Sequence, residues 1–378
     1  MSTSSARWRL ERRLDVSAAR SVGTRTAGVV VAVLGALAVF QLTGRSAPDI
    51  AGESIKGTFG NWSNFQETLI ILTPILICAV AVALGFRIRV WNIGVEGQFL
   101  MGGWAATGVG LKVGGPQWLQ LLLMALAGMA AGALWVLVPA LLKALFDVNE
   151  VITTLLLTFV AQQILVWFST DIWKDRVAAV TNASERVNAK LPGFFGSTTL
   201  NWGFLVPVVL VIVMFVVFRS SRWGYEVEMT GGNPRAAEFA GIPVKRRIVG
   251  VMMLSGAVAG LGGMIQLTGA VHRLSVSFSN QYGFFGFIVA ALAGASALAL
   301  LLVGLFIAFL LRSGIAAQTR GLSVALMFAV CGMILLIVGV AEIATRYRLS
   351  RAAPGPMAPV PQEAKMSNTH FASAQEPA

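Results

Sequence analysis

Charged residues are scarce in this sequence of 378 residues. Lys, Arg, Asp and Glu make up 12% of the positions and hydrophobic residues 56%. That charged share is about half of what an ordinary soluble domain carries, which excludes a soluble globular protein. The net charge of +12 does not indicate nucleic-acid binding, because the Lys and Arg residues separate apolar runs and do not form one basic face.

Side chains for metal binding and acid–base catalysis are also rare. His272 and His370 are the only histidines, and the two cysteines, Cys78 and Cys331, lie inside apolar runs. No Gly-Lys dipeptide occurs, which excludes the phosphate-binding loop of an ATPase. We therefore expect no metal site, no cofactor, no catalytic residue and no ATP hydrolysis by this chain.

Long apolar runs recur along almost the whole sequence. Each is near the roughly 20 residues that a helix needs to cross about 30 Å of hydrocarbon. Lipid cannot hydrogen-bond backbone amides, and the runs lack the period-2 alternation of a membrane barrel, so the spans are predicted to be helices. The predicted fold class is an all-α polytopic membrane protein of about ten spans, at 27–43, 67–86, 92–111, 119–145, 151–169, 203–218, 248–268, 284–294, 298–312 and 322–341.

Positive charge predicts the orientation of these spans. The basic residues of 1–25, 87–89, 143, 219–247 and 346–351 fall on one side, which the charge rule makes cytoplasmic. The opposite loops mix both signs. The predicted organisation is a basic cytoplasmic tail 1–25, a membrane domain 26–345 with external loops 44–66 and 170–202 and a cytoplasmic loop 219–247, and a cytoplasmic tail 346–378. Prolines and small polar residues predict disorder in this last tail.

The apolar stretch from Phe284 to Leu311 is too long for one straight span and too short for two full ones. A single crossing there would place the basic residues after 345 outside. We therefore predict two short helices around a turn at Gly294-Ala295-Ser296-Ala297. Small residues at 128–132 and 256–260 are predicted to allow close packing between helices.

The segment 89–98, Arg-Val-Trp-Asn-Ile-Gly-Val-Glu-Gly-Gln, puts polar side chains at the start of an apolar span. An ionisable residue costs about 2.5–3.5 kcal/mol at the centre of a membrane helix, so it normally faces the protein interior or a water-filled cavity. Asn92 and Glu96 are predicted to share a helical face, and Gly94 and Gly97 to allow a break between them. Alternatively, Glu96 lies at the cytoplasmic interface beside Arg87 or Arg89. The candidate cavity-lining residues are Asn92, Gly94, Glu96, Gly97 and Gln98.

Two further segments lie on the predicted cytoplasmic side. In the segment 147–154, Asn149 and Glu150 are interpreted as the cap and first turn of a helix or as part of a gate. In 231–245, Gly-Gly-Asn-Pro predicts a turn, followed by a short helix that ends near Ala240 and Gly241. A short helix with mixed charge at a membrane face is typical of a docking element.

At these three segments the sequence resembles the permease subunits of bacterial ABC importers in the nucleoside and simple-sugar branch, which are related to branched-chain amino acid permeases. Members carry motifs similar to 91–98, 148–152 and 231–242, in this order, and the resemblance covers about residues 60–345. The sequence departs from the family at 294–297, where relatives usually have a polar turn with Arg, Asn and Pro.

The resemblance implies a multi-pass permease of the bacterial cytoplasmic membrane that carries nucleosides, with simple sugars such as ribose as the alternative. It makes this chain similar to the larger of two paralogous permeases and implies three partners: the second permease, an ATPase with two fused nucleotide-binding domains, and an extracytoplasmic binding lipoprotein. It implies ATPase coupling by Gly232, Asn233, Pro234, Ala236, Ala237, Ala240 and Gly241. A rival interpretation is a secondary transporter that works alone and uses Glu96 as an ion site.

Overall fold

The computed structural model describes residues 55–177, 182–196, 200–294 and 296–318, the strand residues 8–12 and 347–351, and isolated helical positions within 27–52 and 329–341. The chain divides into two units, 1–31 with 337–378, and 32–336. In the first unit, strands β1 (Trp8–Arg12) and β2 (Tyr347–Arg351) pair antiparallel. β2 lies in the tail 346–378, predicted as disordered from composition, and residues 352–378 lie outside the described residues.

The second unit is helical in its described part, as the all-α prediction requires, apart from isolated bridges in the loops. Two π-helical turns, Phe168–Ile172 and Leu267–Val271, prolong the helices that end at Trp167 and Gln266. The helices are α1 (Trp62–Arg87), α2 (Val95–Lys112), α3 (Gln117–Phe146), α4 (Glu150–Trp167), α5 (Leu205–Ser220), α6 (Arg222–Gly232), α7 (Pro234–Phe239), α8 (Val244–Gln266), α9 (Tyr282–Ala293) and α10 (Ala297–Gln318).

Six helical stretches among the described residues are long and apolar enough to cross a membrane. The chain is thus a multi-pass membrane protein, but the structure does not establish ten spans. The predicted spans 27–43 and 322–341 lie largely outside the described residues, α2 is not among the six, and α9 is a shorter apolar helix. The six are Trp62–Arg87, Gln117–Phe146, Glu150–Ile172, Trp202–Ser220, Val244–Val271 and Ala297–Ile315.

The turn predicted inside the long apolar stretch is confirmed. α9 ends at Ala293, and Gly294 has φ +62° and ψ −133°, a conformation that a residue with a side chain rarely adopts. α10 then begins at Ala297 and continues to Gln318, six residues beyond the predicted end. The glycine therefore separates two helices although the stretch has almost no polar residue.

Close packing through small residues is confirmed between α3 and α8. A Cβ atom on Gly128 would lie 3.0 Å from the carbonyl oxygen of Gly260, and one on Gly256 would overlap the backbone of Gly132. Gly102 of α2 meets Gly260 in the same way. Because these positions have no side chains, the backbones of α2, α3 and α8 come into direct contact, close in sequence to Gln98 of α2 and Ser255 of α8.

Candidate functional site: a buried polar cluster

A tight turn after α1 returns the chain into the helix bundle. The amide of Val90 donates to the carbonyl of Gly85 at 3.0 Å, and Arg89 adopts a left-handed conformation with φ +55°. The Cβ atom that Gly85 lacks would lie 3.8 Å from the Cβ of Asn92. The linker 88–94 therefore folds back beside the last turn of α1 and places Asn92 inside the protein.

Asn92, Gln98 and Ser255 form a hydrogen-bonded group that we call the polar cluster. Asn92 Nδ2 donates to Gln98 Oε1 and to Ser255 Oγ, both at 3.0 Å, and Gln98 Nε2 donates to Asn92 Oδ1 at 2.9 Å. Ser255 Oγ donates in turn to the carbonyl of Ala81 at 2.6 Å. The cluster thus connects α1, the linker, α2 and α8. Within it, the side-chain amides of Asn92 and Gln98 each donate a hydrogen bond to the oxygen of the other.

Glu96 is separate from the cluster and caps another helix. Its Oε2 accepts a hydrogen bond of 2.6 Å from the amide of Gly283, in the first turn of α9. The first amides of a helix have no partner within the helix, and a carboxylate favours that positive end. Gly283 allows this approach, since a Cβ atom there would lie 2.5 Å from the Cα of Glu96.

Two details predicted for this segment are wrong. Asn92 and Glu96 do not share a helical face, because α2 begins only at Val95 and Asn92 lies in the linker. Gly97 does not break the helix, which continues to Lys112. Instead, Cβ atoms on Gly94 and Gly97 would lie 2.6 Å and 2.9 Å from atoms of Thr154 and Thr158. These glycines allow α2 to approach α4.

All three predicted polar residues are buried in this conformation. Asn92 is 0%, Glu96 2% and Gln98 1% exposed. Glu96 therefore does not lie at an interface beside Arg87 or Arg89; Arg87 instead pairs with Glu228 at 2.8 Å. The role of Asn92, Gly94, Glu96, Gly97 and Gln98 in a translocation path stays a prediction, because here these residues contact protein and not solvent.

The second predicted segment is a helix cap and also an ion-pair junction. Asn149 Oδ1 accepts from the amides of Val151 at 2.9 Å and Ile152 at 3.4 Å, as expected of an N-cap. Glu150 is 8% exposed and accepts from the amide of Trp91 at 3.2 Å. Its other oxygen lies 3.3 Å from Lys143 Nζ. Glu150 thus connects α3 and α4 to the linker that carries Asn92.

The third predicted segment folds as expected. Asn233 Oδ1 accepts from the amide of Ala236 at 3.2 Å and so caps α7, with Pro234 as the first helical residue. The helix stops before Gly241, which has φ +77°. Gly232, Asn233, Pro234, Ala236, Ala240 and Gly241 are exposed. Ala237 is fully buried and packs with Ile242 and Val244, so its side chain holds α7 in place. ATPase coupling by the residues of this segment stays a prediction.

Phe239 is the feature of this loop that the sequence analysis missed. It is the last residue of α7 and is 94% exposed, although a phenylalanine normally gains free energy by burial. The hydrophobic residue at the end of a short, polar helix was the available signal. Ser255 and Gly283 were also missed, because a lone serine and a lone glycine in apolar helices have no distinguishing pattern.

Among the described residues, no group of three or more His, Cys, Asp and Glu side chains is placed to hold a metal ion.

The Lys143 ammonium beside Asp147 lowers the pKa of that exposed carboxyl below its ordinary value. Asp147 also carries the left-handed C-cap of α3, so it closes the α3–α4 turn.

Comparison with known proteins identifies the family. Residues 64–339 match the model described as branched-chain amino acid transport system / permease component. The chain belongs to this family. It is 32% identical to a glucose ABC transporter permease protein of Haloferax volcanii over 91% of this chain and 93% of the relative. It is 33% identical to a guanosine ABC transporter permease protein of Bacillus subtilis over 65% of this chain and 72% of the relative. A nucleoside ABC transporter permease protein of Lactococcus lactis is 32% identical over 66% of this chain and 72% of the relative.

Membership confirms the resemblance and the main functional prediction: the chain is a permease subunit of an ABC importer and not an enzyme. As a permease component, it is one part of a transport system. The buried polar cluster and the α7 loop are accordingly features of a transport protein.

Proposed function

We propose that this permease forms the translocation path for nucleosides in the cytoplasmic membrane of a bacterium. The relatives named for guanosine and nucleosides support this solute class. The observation that carries the proposal is the polar cluster, because its paired amides offer the donors and acceptors that sugar hydroxyls and base edges need while they cross lipid. A path through apolar helices requires such groups.

We propose further that the cluster gates this path. In the arrangement described above, which we take as the closed gate, the side-chain amides of Asn92 and Gln98 hydrogen-bond to each other. This pairing avoids the cost of an unpaired buried polar group. When α1, α2 and α8 separate, the same groups become available to the solute. Gly94, Glu96 and Gly97 hold α2 against α4 and α9 and so set the position of the gate.

Coupling to ATP hydrolysis requires a partner, and we propose that α7 docks on it. The exposed side of α7 combines Phe239 with neighbouring charged residues, Arg235 and Glu238, which suits a protein interface better than lipid. We propose as partners an ATPase with two fused nucleotide-binding domains, a second paralogous permease and an extracytoplasmic solute-binding lipoprotein.

Competition between solutes tests the proposed class. In proteoliposomes with the assembled complex, an excess of unlabelled nucleosides should suppress uptake of labelled guanosine or adenosine, whereas ribose and glucose should not. The glucose permease relative favours the alternative, a simple-sugar importer, since it covers most of both chains. Uptake of labelled glucose or ribose by the same complex, with no uptake of labelled nucleoside, would replace the nucleoside proposal with this alternative.

We also propose ten spans with both termini in the cytoplasm. The basic residues of 1–25, 219–247 and 346–351 and the alternation of the helices support this orientation. Reporter fusions after Ser350 should be cytoplasmic, and fusions within 182–190 should be external. An external reporter at Ser350 would contradict this ten-span topology and indicate an odd number of crossings.

A further inference from the structure

Helix α6 forms ion pairs with helices on two of its sides, and the two pairs differ in how far they are buried. Glu226 contacts Arg247, near the start of α8, and it also accepts from Arg222 Nε at 3.0 Å within α6. Two residues further on, Glu228 lies 2.8 Å from Arg87 Nη1, at the end of α1. α6 therefore lies between the end of α1 and the beginning of α8, directly before α7 in the chain.

The pair on the α8 side is the more buried one. The side chains of Glu226 and Arg247 are 10% and 24% exposed, whereas those of Glu228 and Arg87 are 50% and 20% exposed. Removing one partner of a buried ion pair leaves an uncompensated charge, and an exposed pair is held only weakly. The contact between α6 and α8 should therefore persist during a conformational change, and the contact between α6 and α1 should break first.

Packing around the two pairs agrees with this difference. α7 is tied to α8 by the apolar contact of Ala237 with Ile242 and Val244. At the other side, Gly231 lies directly against the carbonyl of Arg87 and presents no side chain that could interdigitate with α1. Gly231 therefore adds no buried side chain to the contact of α6 with α1, whereas Ala237 adds one to the contact of α7 with α8.

We propose that α6, α7 and the first turns of α8 move as one rigid unit, held together by Glu226 and Arg247, and that this unit transmits the motion of α7 by shifting against the end of α1. The inference rests on the proposed docking of α7 on an ATPase. Arg87 directly precedes the linker that carries Asn92, so a shift at Arg87 displaces a member of the polar cluster. Glu226 is in this sense a positioning residue and does not contact solute.

Cross-linking distinguishes the rigid contact from the sliding one. In one variant, cysteines would replace both Glu226 and Arg247; in a second variant, cysteines would replace both Arg87 and Glu228. Both variants are prepared in the full complex with Cys78 and Cys331 replaced by alanine. Each pair is then joined with a bifunctional thiol reagent. The first cysteine pair removes the ion pair of Glu226 and Arg247, so we expect its cross-link to raise ATP-driven uptake above that of its own uncross-linked sample. The second cross-link should reduce uptake roughly tenfold.

Single substitutions provide the test if a cysteine pair does not assemble. Glu226→Gln should lower uptake per ATP hydrolysed roughly tenfold at unchanged abundance, since the unit loses its connection. Arg222→Ala is the matched control, because Arg222 binds the same carboxylate with a side chain that is 93% exposed, and it should keep the ratio.

Unchanged or lower uptake after the 226–247 cross-link, unchanged uptake with the 87–228 cross-link, or a wild-type ratio in Glu226→Gln would each overturn the rigid-unit proposal while the unmodified complex still transports. Failure of the unmodified complex to use ATP would instead overturn the proposed function, and this inference with it.

Discussion

Replacing Glu96 with leucine should reduce solute uptake more than about tenfold, and replacing it with glutamine should retain a larger part of it. The carboxylate accepts from the amide of Gly283 inside the protein, so leucine leaves that amide without a partner, at a cost of about 1–3 kcal/mol. A glutamine oxygen can still accept this hydrogen bond. We therefore expect the leucine variant to lose more than about tenfold in uptake, which corresponds to 1.4 kcal/mol, and the glutamine variant to lose less.

The measurement is initial uptake, normalised to the amount of permease in the membrane. Glu185, an exposed carboxylate of the loop 182–196, provides the matched control, and both substitutions there should leave uptake unchanged. If glutamine and leucine at position 96 both transport at the wild-type rate, the cap on α9 has no role in transport. If both are equally inactive at normal abundance, the charge itself is required and not the hydrogen bond.

Replacing Phe239 with aspartate should uncouple the permease from its ATPase. Phe239 is 94% exposed, so its removal costs the isolated chain little, whereas an apolar anchor at the centre of an interface often contributes about 2 kcal/mol or more to binding. We expect normal abundance in the membrane, at least roughly tenfold less ATPase recovered with the purified permease, and a matching loss of uptake.

Two comparisons separate a docking defect from a folding defect. Val177→Asp changes a fully exposed residue of the predicted external loop and should not affect ATPase recovery. Ala237→Glu should instead reduce the amount of folded protein, because it places a charge among Ile242 and Val244. Full ATPase recovery with Phe239→Asp would show that α7 is not anchored by this side chain.

The sequence revealed features that depend on local chemistry. The cap at Asn149, the short helix from Pro234, the turn at Gly294 and the small-residue contact between α3 and α8 all follow from residue types at defined spacings. These preferences act over a few residues, so they can be recognised without knowing the fold.

Partners distant in the chain could not be predicted. Asn92 was expected to share a helical face with Glu96. Instead, a left-handed residue at Arg89 turns the linker back and brings Asn92 to Gln98 and to Ser255, which is 163 positions away. Glu96 likewise meets Gly283, 187 positions away. Such contacts follow from helix packing, which the composition of an apolar segment does not encode.

The roles of single glycines were ambiguous for the same reason. Gly94 and Gly97 were interpreted as helix-weakening residues, whereas the structure uses them to bring α2 against Thr154 and Thr158. Both uses require the absence of a side chain, and only the neighbouring helix decides between them.

The energy source of transport tests the central claim most directly. Uptake of labelled nucleoside should be measured in proteoliposomes that contain the permease with its co-purified partners, with ATP or a non-hydrolysable analogue on the ATPase side, in the presence and absence of a proton gradient. We expect uptake only with hydrolysable ATP and no effect when the gradient is removed. Uptake by the permease alone that persists without ATP and collapses with the proton gradient would contradict the importer mechanism and favour a secondary transporter.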